Sequence, residues 1–213
     1  MSGFLAVASD LDGTLLRSDG TVSERTRDAV VAVEDAGGRF VIATGRPPRW
    51  LAPVVHALGD RGLVVCANGA SVYDPASGEL VERHDLAPEV VRELFDDLEP
   101  RLPGAVFSVE QGFDFTIDEA IERSEFRARL AALRNDPGLT VAPLRSRLDL
   151  PTTKLIVRIP RAEAAGATAR VQAIVGDRAI VTHSIDESFL ELSAPGVHKA
   201  ATNVSCASLR LSK

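Results

Sequence analysis

The sequence predicts an α/β fold: one half of a doubly wound domain on a parallel sheet, followed by an α+β layer. Three observations carry this. The runs at 4–9, 40–43 and 63–67 are almost wholly apolar, so each reads as a strand buried on both faces. Helical spacing fills the two gaps between them, which predicts right-handed crossovers. After about residue 75 the pattern shifts to alternating strands and amphipathic helices.

In chain order, the first strand stops at Asp10-Leu11-Asp12-Gly13-Thr14, where polarity and a glycine break it. Ser23 is a good N-cap for a helix carrying Ala29, Val30, Val33 and Ala36 on one face, and Gly37-Gly38 ends that helix. The second strand closes at Thr44-Gly45-Arg46-Pro47-Pro48, and a second helix is expected over 50–58. The third strand closes at Asn68-Gly69. Beyond it, strands are expected at 80–84, within 105–117, at 155–159 and at 179–182. Helices are expected at 88–98, opened by Pro88, and at 119–133 and 161–175. This middle region reads as an open sheet with helices on one face. The serine-rich stretch after Lys199-Ala200 has only weak helical periodicity.

Composition narrows the function classes. With 213 residues, 45% hydrophobic and 25% charged, the chain is an ordinary soluble globular protein with room for a substantial core. A formal charge of −6 argues against nucleic acid as partner, and no apolar run is long enough to span a membrane. The N-terminus lacks a basic signal region, and Cys66 and Cys206 suggest no disulfide framework, so a cytoplasmic setting is expected. The first strand–helix turn has no GxGxxG loop, which disfavours a dinucleotide-dependent dehydrogenase.

The chemistry concentrates at Asp10 and Asp12. Two carboxylates two residues apart, at the C-terminal end of a strand where open α/β sheets place ligands, can divide a phosphoryl transfer. One attacks, the other handles the proton, and a divalent cation offsets the clustered charge. The bland alternative is an Asp-rich glycine turn that only ends a strand.

The run at 4–16, an apolar strand and then DLDGTLL, resembles the first motif of the haloacid dehalogenase-like (HAD) superfamily. Thr44-Gly45-Arg46 resembles its second motif, and Asn68-Gly69-Ala70 is similar to the Cof-type branch. Lys199, after Gly196-Val197-His198, falls where the third motif places its lysine. The resemblance implies a three-layer, Rossmann-like core with a parallel sheet at 1–75 and a C2B-type α+β cap at 76–190. The chain would return to the core at 191–213. It implies an Mg²⁺-dependent phosphatase of small phosphorylated metabolites, such as sugar phosphates or phosphorylated cofactors. Asp10 would be the nucleophile and Asp12 the general acid/base. Thr44 and Lys199 would hold the phosphoryl oxygens, with backbone amides near Leu11, Asp12 and Gly45. Mg²⁺ would sit on the Asp10 carboxylate and the Asp12 carbonyl, and Arg46 would either aid the site or form a surface ion pair.

Each residue keeps a bland counterpart: Thr44 as a helix cap, Asn68 as a turn residue, Lys199 as a solvated lysine. Lys154 and Asp186-Glu187 could face substrate, but solvated surface is the expectation for them. The family's fourth, acidic motif is not found after Lys199, so the sequence reads as cut short, with the core's C-terminal strands missing. That would leave the strand at 4–8 as an apolar sheet edge open to self-association. The alternatives are a non-catalytic phosphate-binding or interaction module, and a phosphomutase of the same fold.

Overall fold

The computed structural model describes residues 6–133, 135–184, 186–198 and 202. The chain divides into two units, Met1–His84 with Val197–Lys213, and Asp85–Gly196, so the second interrupts the first in sequence.

The first unit runs β1 (Ala6–Asp10), α1 (Glu24–Asp35), β2 (Arg39–Ala43), α2 (Ala52–Ala57), β3 (Leu63–Cys66), β4 (Ser71–Asp74) and β5 (Glu79–Arg83). These five strands form one sheet in sequence order. β1, β2 and β3 are parallel, as expected. β4 and β5 pair antiparallel, so the sheet is mixed rather than parallel throughout. The cause is the short turn at 67–70: a reversal that tight can join only antiparallel neighbours. The strand expected at 80–84 therefore belongs to this sheet. The units meet at 84/85 and 196/197, against expected limits of 75/76 and 190/191.

Ser23 caps α1, its hydroxyl accepting from the Thr26 amide at 3.0 Å. Val30 of α1 and Val54 and Val55 of α2 share one apolar cluster with Leu11, Phe40, Ile42, Val64 and Cys66. Both helices thus cover the same sheet face. Two right-handed crossovers stepping the same way across a sheet must do this. Val41, Ala43, Leu63, Val65 and Val72 are buried on the opposite face, which is why β2 and β3 read as unbroken apolar runs.

The second unit runs α3 (Pro88–Leu98), β6 (Val106–Gln111), β7 (Asp114–Asp118), α4 (Arg127–Leu133), β8 (Leu139–Ala142), β9 (Lys154–Arg158), α5 (Ala167–Val175), β10 (Ile180–His183) and β11 (Phe189–Ser193). Its sheet order is β10-β11-β9-β6-β7-β8. On one face Val91, Leu94, Phe95 and Leu98 of α3, with Val171 and Val175 of α5, pack over Phe107, Val109, Leu155, Val157, Leu190 and Leu192. The other face is not left open as expected. Ile121 and Phe126, with Leu130 and Leu133 of α4, cover Val106, Phe115, Ile117 and Ile156. β7 and β8 are parallel, so the segment joining them must cross the sheet, and it takes the face that α3 and α5 leave.

Two expected helices are broken. Ser124 interrupts the stretch at 119–133: its hydroxyl accepts from Phe126 N–H at 3.1 Å and donates to Ile121 O at 2.8 Å. α5 starts only after Gly166, which has a φ of 66°. Among the described residues, no helix is long and apolar enough to cross a membrane.

Leu94 is fully buried in the second unit's core, so Leu94→Ala should cost about 2–5 kcal/mol, read as a lower urea midpoint. The Asp97 carboxyl is held below its ordinary 3.8 by hydrogen bonds, foremost from Arg178 and then from Arg101. A carboxyl lowered by folding stabilises above its unfolded value and loses that contribution as pH falls through the folded one. Melting temperature should therefore decline below about pH 4, and Asp97→Asn should shallow that acid limb.

Candidate active site

The parallel register sets the site. Asp10 stands opposite Ala43, and Ala43 opposite Val65, so β1, β2 and β3 end in step. The loops that follow begin from one sheet edge. After β1 the chain makes the wide turn Leu11–Leu15, closed by Leu16 N–H to Leu11 O at 3.0 Å. Gly13, at φ 75°, takes the left-handed position of this turn, which favours glycine. Leu11 is fully buried in the apolar cluster under α1 and α2, whereas Asp10 and Asp12 are exposed. One buried leucine between two acids is the local device that puts both carboxylates on the surface.

The loops after β2 and β3 are interlocked. Thr44 is buried; its N–H donates to Val65 O at 2.8 Å, and its O accepts from Asn68 N–H at 3.1 Å. Arg46 O accepts from Ala67 N–H at 2.9 Å, and the Thr44 hydroxyl accepts from Arg46 N–H at 3.1 Å. Ala67 and Asn68 both have left-handed backbones, with φ of 52° and 61°. For residues with a Cβ this costs roughly 1–2 kcal/mol each, so the strain persists only because the hydrogen bonds hold it. Below the loop the Thr202 hydroxyl, itself buried, donates to Gly69 O at 2.8 Å. Gly45 has the complementary role. A Cβ there would lie 3.0 Å from Asn68 Oδ1, so its lack of a side chain admits the asparagine.

Arg46 joins the first loop to the second. Its Nε donates to Asp12 Oδ2 at 3.0 Å and its Nη2 to Oδ1 at 2.5 Å, a two-pronged ion pair with both groups part-exposed. This pair, which spans 34 positions, had no local pattern to reveal it. Asp10, Leu11, Asp12, Thr44, Gly45 and Arg46 thus lie on one sheet edge. Lys199 lies outside the described residues.

The other candidates are in the second unit. Lys154 is not solvated: it is 2% exposed, and its Nζ donates to Glu191 Oε2 at 2.8 Å. Asp186 accepts from Ser188 N–H at 2.9 Å and from the Ser188 hydroxyl, and these bonds hold its carboxyl below the ordinary range. Glu187 Oε2 accepts from Gly166 N–H at 3.1 Å. Among the described residues, no group of three or more His, Cys, Asp or Glu side chains converges on a possible metal position.

A two-acid strand end facing an interlocked second loop, on a mixed α/β sheet, defines a class that comparison makes specific. Residues 7–209 match the family described as haloacid dehalogenase-like hydrolase, and the chain belongs to it. It is similar to the 5-amino-6-(5-phospho-D-ribitylamino)uracil phosphatase YitU of Bacillus subtilis, 29% identical over 71% of this chain and 54% of that protein. It is also similar to the phosphoglycolate phosphatase of Natronomonas pharaonis, 31% identical over 63% of this chain and 58% of that one. The chain spans about a quarter to just over half the length of the curated relatives it matches. Its fold matches a haloacid dehalogenase-like hydrolase from Bacteroides thetaiotaomicron with a TM-score of 0.75 at 21% identity, covering 95% of this chain and 76% of that one. It also matches the HAD subclass IIB sugar phosphatase BT4131 with a TM-score of 0.68 at 17% identity, covering 97% and 77%. The fold is that of the haloacid dehalogenase-like hydrolases, a subclass IIB structure among them.

Gly45→Ala should push Asn68 out of place and cost about 1–3 kcal/mol. In an Asn68→Gly background the same change should cost much less, and a double-mutant cycle in urea measures the difference. Thr202→Val should lose about 1 kcal/mol with its bond to Gly69, seen in the same assay.

Proposed function

We propose that the chain carries the phosphoryl-transfer site of a phosphatase acting on small phosphomonoesters through an aspartyl-phosphate on Asp10. The observation that carries this is the strand end itself: two exposed carboxylates flank one buried leucine, and the second is held by Arg46. In this reading an Asp10 carboxylate oxygen attacks phosphorus, and the bond to the substrate's ester oxygen breaks. Asp12 delivers a proton to the leaving alcohol. Asp12 then takes a proton from water as that water attacks the phosphorus, the Asp10–phosphorus bond breaks, and inorganic phosphate leaves. In the resting site the Arg46 fork holds both Asp12 oxygens, so in this reading the fork opens when substrate binds and Asp12 enters the cycle protonated. Thr44, with Lys199 and the amides of Leu11, Asp12 and Gly45, would bind the phosphoryl oxygens.

The donor chemistry suits Mg²⁺, which prefers hard oxygens and keeps several waters. The Asp10 carboxylate and the Asp12 backbone carbonyl would hold it, since the Asp12 side chain is taken by Arg46. When bound, the ion offsets the charge that gathers on the phosphoryl group.

The substrate class follows the relatives, whose names specify a ribitylamino-uracil phosphate, phosphoglycolate and a sugar phosphate. A sugar phosphate or phosphorylated cofactor is the corresponding choice here. The unit Asp85–Gly196 would be the cap, of the C2B type, that selects among such substrates. A cytoplasmic setting agrees with a buried Cys66 thiol that contacts Ser71.

The test is hydrolysis of an aryl phosphate with and without Mg²⁺. Asp10→Asn should reduce turnover to background with an unchanged circular dichroism spectrum. Asp12→Asn should lower kcat by about 10²–10⁴-fold. Undiminished turnover in Asp10→Asn would refute the assignment.

A further inference from the structure

Among the described residues, the buried Arg158 of the second unit has no carboxylate at ion-pair distance. Arg158 closes β9 on the sheet face that carries Val106, Ile156, Phe115 and Ile117, with Val106 and Phe189 as its cross-strand neighbours. It is 9% exposed. Its guanidinium carbon lies 5.2 Å from the ring centroids of both Phe126 and Phe189. Its Nε is buried without a hydrogen-bond partner, and among the described residues no carboxylate reaches the guanidinium at ion-pair distance. Lys154, four residues earlier on the same strand and face, shows the contrast, for it is held by Glu191 at 2.8 Å.

Burial pushes the Arg158 guanidinium below its usual range, and the nearby charges of Arg129 and Arg161 push the same way. Asp186 and Glu125 oppose that shift, but both are engaged elsewhere: Asp186 by Ser188, Glu125 by the Arg161 backbone N–H at 3.2 Å. An arginine stays protonated in proteins, so the arrangement is a fixed cation, packed on two aromatic faces and flanked by two more.

We propose that Arg158 anchors an oxyanion-binding site in the second unit, taking a carboxylate or phosphate group of a small metabolite on its guanidinium. The planar fork matches a two-oxygen anion, and the reduced exposure to water strengthens the attraction. Arg129 and Arg161 add long-range pull, and an arriving anion supplies the counter-charge that the fold leaves out. The site belongs to the second unit, shares no residue with the phosphoryl-transfer assignment and does not depend on that reading.

The experiment titrates the full chain with inorganic phosphate and, separately, with succinate at low ionic strength, followed by calorimetry. The same titrations are run on Arg158→Met, Arg158→Lys and Thr44→Val. Saturable succinate binding, and the phosphate binding that is insensitive to Thr44→Val, should disappear in Arg158→Met and weaken at least about tenfold in Arg158→Lys, which keeps charge and stem but loses the fork. Both should persist in Thr44→Val. The tighter of the two anions identifies the group recognised. Should Arg158→Met fail to fold, Arg158→Lys together with the ¹⁵N signal of the Arg158 Nε–H, which should shift on titration, decides the matter. Binding unchanged in the Arg158 variants but lost in Thr44→Val overturns the proposal while leaving the phosphatase reading standing. Absence of saturable binding by either anion overturns it outright.

Discussion

Three parallel strands ending in step is the constraint on which the first unit depends. Because Asp10, Ala43 and Val65 share one register, three loops that are remote in sequence start side by side. None of those loops is stable alone. The turn after β3 holds two left-handed residues that would relax if isolated, and the loop after β2 has few bonds of its own. Each supplies what the other lacks: Thr44 O and Arg46 O take the strained amides, and Gly45 yields the space that Asn68 occupies. The first loop is then tied in by charge, through Arg46 and Asp12. Rigidity here comes from mutual satisfaction of backbone groups around the buried Thr44 and Ala67.

The second unit shows what a sheet does with polar residues inside it. Lys154 and Glu191 satisfy one another, and removing either would strand a charge. Arg158 solves the same problem differently, using ring faces in place of a carboxylate. Two cations on one strand face, one paired and one poised, make this sheet more than a support for α3 and α5.

Much of this could be read before any coordinates. Leu11 between two aspartates, the apolar strands and the Ser23 cap are local patterns, and local patterns are what periodicity and propensity report. The residues that escaped are those whose meaning is set by a distant partner. Lys154 reads as solvated because lysine usually is, and only Glu191, 37 positions on, inverts that. Its place in the strand run Lys154-Leu155-Ile156-Val157 was the available signal, since a lone charge heading a buried strand breaks the pattern. β4 escaped because it follows β3 through so tight a turn that the two read as one stop signal. Ser124 and Gly166 broke expected helices by local bonding and backbone preference, both of which outweigh an amphipathic stripe.

The hydrogen bond from Thr202 to Gly69 also sets an order of events at the ribosome. The two residues are 133 positions apart, and all of Asp85–Gly196 is synthesised between them. At about 5–20 residues per second, the turn after β3 waits roughly 7–27 seconds for its hydrogen bond from Thr202. During that interval the second unit, contiguous in sequence, is synthesised whole. The loops after β1, β2 and β3 are thus made before the second unit and become rigid after it has been synthesised.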